Sequence, residues 1–285
     1  MINLQQQISL FKIIGSQLKD KLECIVIGGS AMMFYGAKVT TKDVDLVFLK
    51  KEGLEAVKKD LYSSGFDEKK NIKSIFREDE ESTKPIMMEG KETRFDLFLN
   101  EVIGFKIHEK TLERIREVHE FGNFIVKIAS PEDILMMKGC TERERDRDDA
   151  AELIKKFNIN WEIIIDETSK QTKIGIAAFP ILLYDFLTEL KENYKADVPK
   201  IITKDLITIA KKECIGRKIG ALYDAARTVI RVRRMDKKTR KALLSSKVED
   251  KFIVKHARTN DLNQIERVWK VYLPFNKADL EAYKE

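Results

Sequence analysis

Two aspartates, Asp43 and Asp45, stand two positions apart at the head of an apolar run, Leu46-Val47-Phe48. On a β-strand such residues face the same way, so both carboxylates share one face while Val44 turns into the core. Two carboxylates this close repel each other unless a cation lies between them. Mg²⁺, or Mn²⁺ in its place, suits the pair because it takes oxygen ligands and shares itself between carboxylates and substrate phosphates. In a chain with 47 acidic residues a DxD pair is commonplace, and solvated acids are the ordinary explanation. The edge of a core strand, where charge is costly, sets this pair apart.

Two further features bear on the same chemistry. Gly28-Gly29-Ser30 follows an apolar run at 24–27 and precedes a short helical pattern at 31–35. Glycines let a phosphate approach the backbone, and a helix N-terminus offers free N–H groups. Ser30 adds a hydroxyl donor or caps the helix, and the plain alternative is a tight strand–helix turn. Asp96 is an acid inside the strand-like Arg94-Phe95-Asp96-Leu97-Phe98. If that strand lies beside 44–48, Asp96 comes next to the aspartate pair, as a third metal ligand or as a base toward a hydroxyl. The plain alternative is a surface acid paired with Arg94.

The elements that must position these groups follow from periodicity. Ile8, Phe11, Ile14, Leu18 and Leu22 mark an amphipathic first helix. Strands are expected at 24–27, 44–48, 72–76, 86–88, 93–99 and 124–128, with a helix over 54–64. Ser130-Pro131-Glu132-Asp133 combines a cap, a first-position proline and first-turn acids, and so starts a helix to about residue 140. Helix resumes over 146–157, and Asn160 caps another. Helical spacing dominates from about residue 173, in segments at 180–194, 204–214, 219–232 and 260–269. The expected fold class is α+β: a mixed β-sheet flanked by helices over 1–170, then a mostly helical, basic domain over 171–285.

Together, Val26-Ile27-Gly28-Gly29-Ser30, Thr41-Lys42-Asp43-Val44-Asp45-Leu46 and the distal Asp96 resemble the DNA polymerase β-like nucleotidyltransferase superfamily. Ser130-Pro131-Glu132-Asp133, Lys138 and Arg143-Glu144-Arg145-Asp146-Arg147-Asp148-Asp149 resemble the AbiEii-like toxin and related uncharacterised prokaryotic nucleotidyltransferases. The resemblance covers roughly residues 20 to 160. It implies a nucleoside triphosphate (NTP) substrate, ATP among them, whose α-phosphate is attacked by an acceptor hydroxyl. It implies Asp43, Asp45 and Asp96 as catalytic metal ligands, and Gly28, Gly29, Ser30, Lys138 and Arg145 as nucleotide-binding residues. Asp146 is either catalytic, as in the toxin branch, or orients Arg145. Lys138 follows Met136-Met137 on a core-facing helix, which sends its head to the domain rim.

Between residues 211 and 247, thirteen Lys and Arg stand against three acids, so the rest of the chain is net negative. Arg227, Arg231, Arg233, Arg234, Lys237, Lys238, Arg240 and Lys241 form a positive face at helical spacing, suited to RNA, or a solvated surface balancing an acidic partner domain. His108, His119 and His256 stand isolated, read as surface or helix-end residues. Cys24, Cys140 and Cys214 form no CxxC or Cys/His cluster, which argues against structural zinc and for a reducing compartment. With no signal-like start and no long apolar window, the expectation is a cytoplasmic protein without membrane contact. Two other functions fit the same residues: a non-catalytic module of this fold that binds nucleic acid or a protein, and a toxin with an antitoxin partner.

Overall fold

A computed structural model describes residues 1–69, 85–141, 143–176 and 179–213. The basic stretch beyond residue 213, with Cys214, His256 and the helices expected at 219–232 and 260–269, lies outside the described residues, as does the strand expected at 72–76. The chain divides into two units, Met1–Lys204 and Asp205–Glu285, and the boundary read between residues 170 and 171 falls inside a helix.

In chain order the first unit runs β1 (Ile2–Asn3), α1 (Leu4–Gln17), β2 (Leu22–Ile27), α2 (Gly28–Phe34), β3 (Thr40–Thr41), β4 (Asp43–Phe48), α3 (Lys51–Ser63) and β5 (Asp67–Glu68). It continues β6 (Ile86–Glu89), β7 (Arg94–Leu99), β8 (Glu101–Val102), β9 (Phe105–Lys106), α4 (Glu109–Glu113), β10 (Glu117–Phe121) and β11 (Phe124–Ile128). The helices α5 (Pro131–Gly139), α6 (Glu144–Lys156), α7 (Trp161–Ile174), α8 (Phe179–Asn193) and α9 (Lys200–Glu213) complete the described chain. The fold is α+β, as its alternating apolar patterns imply.

Seven strands form one mixed sheet in the order β10-β11-β2-β4-β7-β6-β5. β4 lies at its centre, antiparallel to β2 and parallel to β7. Centrality explains its sequence: Val44, Leu46, Val47 and Phe48 are all fully buried. A strand covered on both faces reads as a continuous apolar run, and here only Asp43 and Asp45 interrupt it.

Helices hold the sheet from several sides. α1 packs on β11 and α3, and α2 crosses the end of β2 and β4 onto α5. The helix α1 starts at a reciprocal cap, in which Asn3 and Gln6 each take the other's backbone N–H. The Ser130 hydroxyl accepts the Asp133 N–H, as the Ser-Pro-Glu-Asp pattern implies. Every residue of α5 is buried, and α6, α7 and α8 gather around it. No helix among the described residues is long and apolar enough to cross a membrane.

His108 is a helix-end residue, as expected, the cap of α4, but it is not isolated. Its Nε2 lies 2.8 Å from Glu167 Oε1, and Arg114 ties the same carboxylate to Asp133 at 2.9 and 2.6 Å. Both acids are buried, and each gains its partner from an element distant in sequence. The network fastens α4 and α7 to α5. His119 also has a partner, Glu117 at 3.2 Å.

Candidate active site

The centre of the sheet places three acids and one base in a small grid. β4 and β7 run parallel in a register that sets Asp45 opposite Asp96 and Asp43 opposite Arg94. Residues two apart on each strand face the same way, so all four side chains share one face. Val44 and Phe95, between them, are fully buried on the other. The third strand, β2, brings Ile27 against Asp45 and then ends in the glycine turn.

The first residue of that turn favours glycine by its backbone conformation. Gly28 has φ +59°, and a Cβ there would lie 2.5 Å from Asp45 Oδ2. A Cβ on Gly29 would lie 2.8 Å from Thr41 Oγ1. The first glycine therefore keeps space beside the Asp45 carboxylate, and both border the cleft above it.

Ser30 has a different place from the one the motif suggests. It is fully buried, and its hydroxyl donates to the Asp43 backbone carbonyl at 3.1 Å. Thr41 Oγ1 donates to the same carbonyl at 3.1 Å, and Thr93 Oγ1 donates to the Lys42 carbonyl at 3.0 Å. Three hydroxyls thus fix the backbone that carries the aspartates. Ser30 acts on Asp43 from behind and does not border the cleft.

Arg94 supplies the positive charge of the grid. Its Nε and Nη2 donate to Asp96 Oδ1 and Oδ2 at 2.6 and 2.8 Å, and Nη2 lies 3.0 Å from Asp43 Oδ2. The bridge spans Asp43 and Asp96 and leaves out Asp45. Burial, with the charges of Asp96 and Asp43, pushes the Asp45 carboxyl up to about 7, against the pull of Lys138 and Arg143. Burial also raises Asp96, although its hydrogen bonds to Arg94 work the other way.

The opposite wall comes from α5 and α6. Lys138 is 5% exposed rather than at the rim. Its Nζ is 2.9 Å from Asp146 Oδ1 and 2.6 Å from Asp149 Oδ2. Lys38 grips Asp149 from the other side at 2.6 and 2.7 Å, and the Thr141 hydroxyl donates to Asp146. Burial opposes ionisation of Asp146, yet Lys138, Thr141 and Arg143 outweigh it and hold its pKa below the ordinary value. A buried cation between two carboxylates is the satisfied form of such a group. At the mouth, Arg145 is half exposed, with Nη2 3.7 Å from Asp43 Oδ2. Arg147 turns away, to Glu189 at 3.1 Å and over the Phe186 ring at 5.4 Å, and so ties α6 to α8.

These walls enclose a cleft of about 580 Å³, bordered by Gly28, Gly29, Lys38, the three central aspartates, Arg94, Lys138, Arg143 and Arg145. That volume lies within the range of small-molecule sites. The donor chemistry fits a hard divalent cation: carboxylate oxygens, one of them outside the Arg94 bridge and crowded by two like charges. As the side chains stand, no three His, Cys, Asp or Glu among the described residues are arranged around one ion. Mg²⁺ needs no such cage, because one or two carboxylates and the substrate phosphates suffice.

Lys38 and Thr93 went unnoticed in the sequence, since single Lys and Thr residues carry no spacing signal, and Thr41 was visible only as the start of the motif that holds Asp43 and Asp45. Arg94 was visible only as a neighbour of Asp96.

The chain belongs to a family described as nucleotidyl transferases of unknown function (DUF2204), whose model matches residues 8–180, more than half of its length. The match takes in the sheet, the glycine turn, all the acids of the cleft and the helices through α7. No curated protein matches the chain.

Proposed function

We propose that the protein moves a nucleoside monophosphate from an NTP to an acceptor hydroxyl. The observation that carries this reading is the register pairing of Asp45 with Asp96, beside Asp43, at the floor of a cleft edged by Gly28 and Gly29. In the reaction the acceptor oxygen forms a bond to the α-phosphorus, the bond from that phosphorus to the bridging oxygen breaks, and pyrophosphate leaves. Asp43, Asp45 and Asp96 would hold Mg²⁺ or Mn²⁺, which supplies charge neutralisation for the attacking and leaving oxygens. Asp96, which burial makes more basic than an exposed carboxylate, would receive the acceptor proton.

Gly28 and Gly29 open the backbone to the triphosphate, and Arg145 at the mouth offers a planar fork for phosphate. Lys138 takes a positioning role, because its head is committed to Asp146 and Asp149. Ser30 positions Asp43. RNA is the acceptor class favoured by the basic stretch at 211–247, and the Ser130–Asp149 similarity keeps the toxin branch as the biological context.

The test is to incubate the protein with each labelled NTP, Mg²⁺ and total cellular RNA or protein. A labelled macromolecule that disappears with Asp45→Ala is expected. If the wild-type protein neither binds any NTP with Mg²⁺ or Mn²⁺ nor labels any acceptor, the reading is wrong and a non-catalytic module takes its place. Growth arrest on expression, abolished by Asp45→Ala, would place the enzyme among toxins.

A further inference from the structure

Arg94 sits where a cation is needed. Its guanidinium lies within 3.0 Å of carboxylate oxygens of both Asp43 and Asp96, two of the three acids assigned above to the metal. The contact is built into the register: Arg94 is opposite Asp43 and two residues before Asp96 on the same face. A fork of this kind on two carboxylates makes charge-assisted hydrogen bonds of good geometry, the strong class. A divalent ion bound by those carboxylates must displace them or share them.

The side chain also has somewhere to go. Arg94 borders the same cleft as Gly28, Gly29 and Arg145 and is about one quarter exposed, so it is not sealed into the grid. A guanidinium that fits a carboxylate fits a phosphate equally well. Release from Asp43 and Asp96 and capture by a phosphate oxygen therefore conserve its pairing.

We propose that Arg94 is an exchangeable counter-ion, which keeps Asp43 and Asp96 from a divalent cation until a nucleoside triphosphate arrives to receive its guanidinium. The inference rests on the metal-dependent reading of the site. It makes cation and nucleotide binding mutually dependent: each weakly held alone, each tightened by the other.

The test is Mn²⁺ binding to the full chain, followed by electron paramagnetic resonance, with and without a non-hydrolysable NTP analogue. Wild type, Arg94→Leu, Arg94→Lys and Asp45→Asn are compared. Wild type is expected to hold Mn²⁺ weakly alone and about tenfold more tightly with the analogue, a common size for coupled sites. Arg94→Leu is expected to bind Mn²⁺ alone about tenfold more tightly than wild type, with a smaller further gain from the analogue, whose phosphates still ligate the ion. Arg94→Lys keeps the charge without the fork and falls between.

Unchanged or weaker Mn²⁺ affinity in a folded Arg94→Leu overturns the proposal. Should that variant fail to fold, the wild-type Arg94 Nε resonance decides. It is expected to shift when Mg²⁺ and analogue are added together, and an unmoved resonance at saturation overturns the proposal. Failure of the underlying reading looks different: Mn²⁺ then binds neither wild type nor Arg94→Leu, even with the analogue, and Asp45→Asn changes nothing.

Discussion

Asp45 and Asp96 face each other across parallel strands, one bridged by Arg94 and the other outside that bridge. Arg94 answers part of the negative charge of the grid, and Asp45 bears the remainder as a carboxyl titrating near 7.

Without metal, Asp45 should therefore cost stability at neutral pH. Its folded pKa is raised, so the folded chain binds the proton more tightly than the unfolded chain does. Stability should fall as pH rises from about 4 to about 7 and level off above that. Asp45→Asn should flatten this slope and raise the melting temperature at pH 8 by a few degrees, since ~1 kcal/mol amounts to about 2–4 °C in a domain of this size. Transfer activity should drop by about 10²-fold or more. Thermal unfolding across pH with a chelator present checks the first claim, and a lower melting point for Asp45→Asn would contradict it.

Gly28→Ala should damage the same place by sterics alone. The added methyl meets Asp45 Oδ2 at 2.5 Å, in a backbone conformation that L-residues rarely adopt. A loss of about 1 kcal/mol or more is expected, together with weaker cation and nucleotide binding. Urea unfolding and a Mn²⁺ titration measure the two effects, and Gly65→Ala, at a positive φ with nothing within 4 Å of the new methyl, controls for backbone strain.

Ser30→Ala separates positioning from phosphate binding. Losing the hydrogen bond to the Asp43 carbonyl should cost about 1 kcal/mol of stability. Turnover should fall while nucleotide affinity stays within about twofold, because the hydroxyl is buried on the Asp43 carbonyl and does not border the cleft. A large loss of nucleotide affinity with normal stability would mean that Ser30 touches the substrate.

Lys138→Met leaves Asp146 without its buried cation and Asp149 with Lys38 alone. Breaking such a pair costs about 3–5 kcal/mol, so a marked drop in the urea midpoint is expected at pH 7. Asp146 has a depressed folded pKa, and its contribution is present above the ordinary carboxylate value of 3.8 and lost as pH falls below it. The deficit of Lys138→Met against wild type should accordingly shrink at pH 3. A deficit that does not change with pH would assign the loss to packing alone.

Much of the sheet could be read before the structure. Phe124–Ile128 is a strand with the bounds its apolar run implies, and Ser130 and Asn160 start helices where their side chains cap. These signals are local, made by neighbours in sequence. The Asp45–Asp96 pairing was legible only as a condition on strand order, which no local pattern fixes. The strand Glu117–Phe121 went unread because it alternates polar residues at the sheet edge. Lys138 misled because its sequence context gives the helix and its buried face but not the two aspartates of the next helix. His108 misled for the same reason: Glu167 lies far along the chain.

The order of the acids along the polypeptide has a consequence for synthesis. Asp43 and Asp45 leave the ribosome well before Asp96, and the strands that carry them pair in parallel, through a connection that includes α3. Parallel pairing waits for that whole connection to close. A nascent chain that ends before Arg94 holds the two acids on a strand paired with β2, without the Arg94 guanidinium or the Asp96 carboxylate. Until β7 has docked, the three acids and the guanidinium cannot come together on one face.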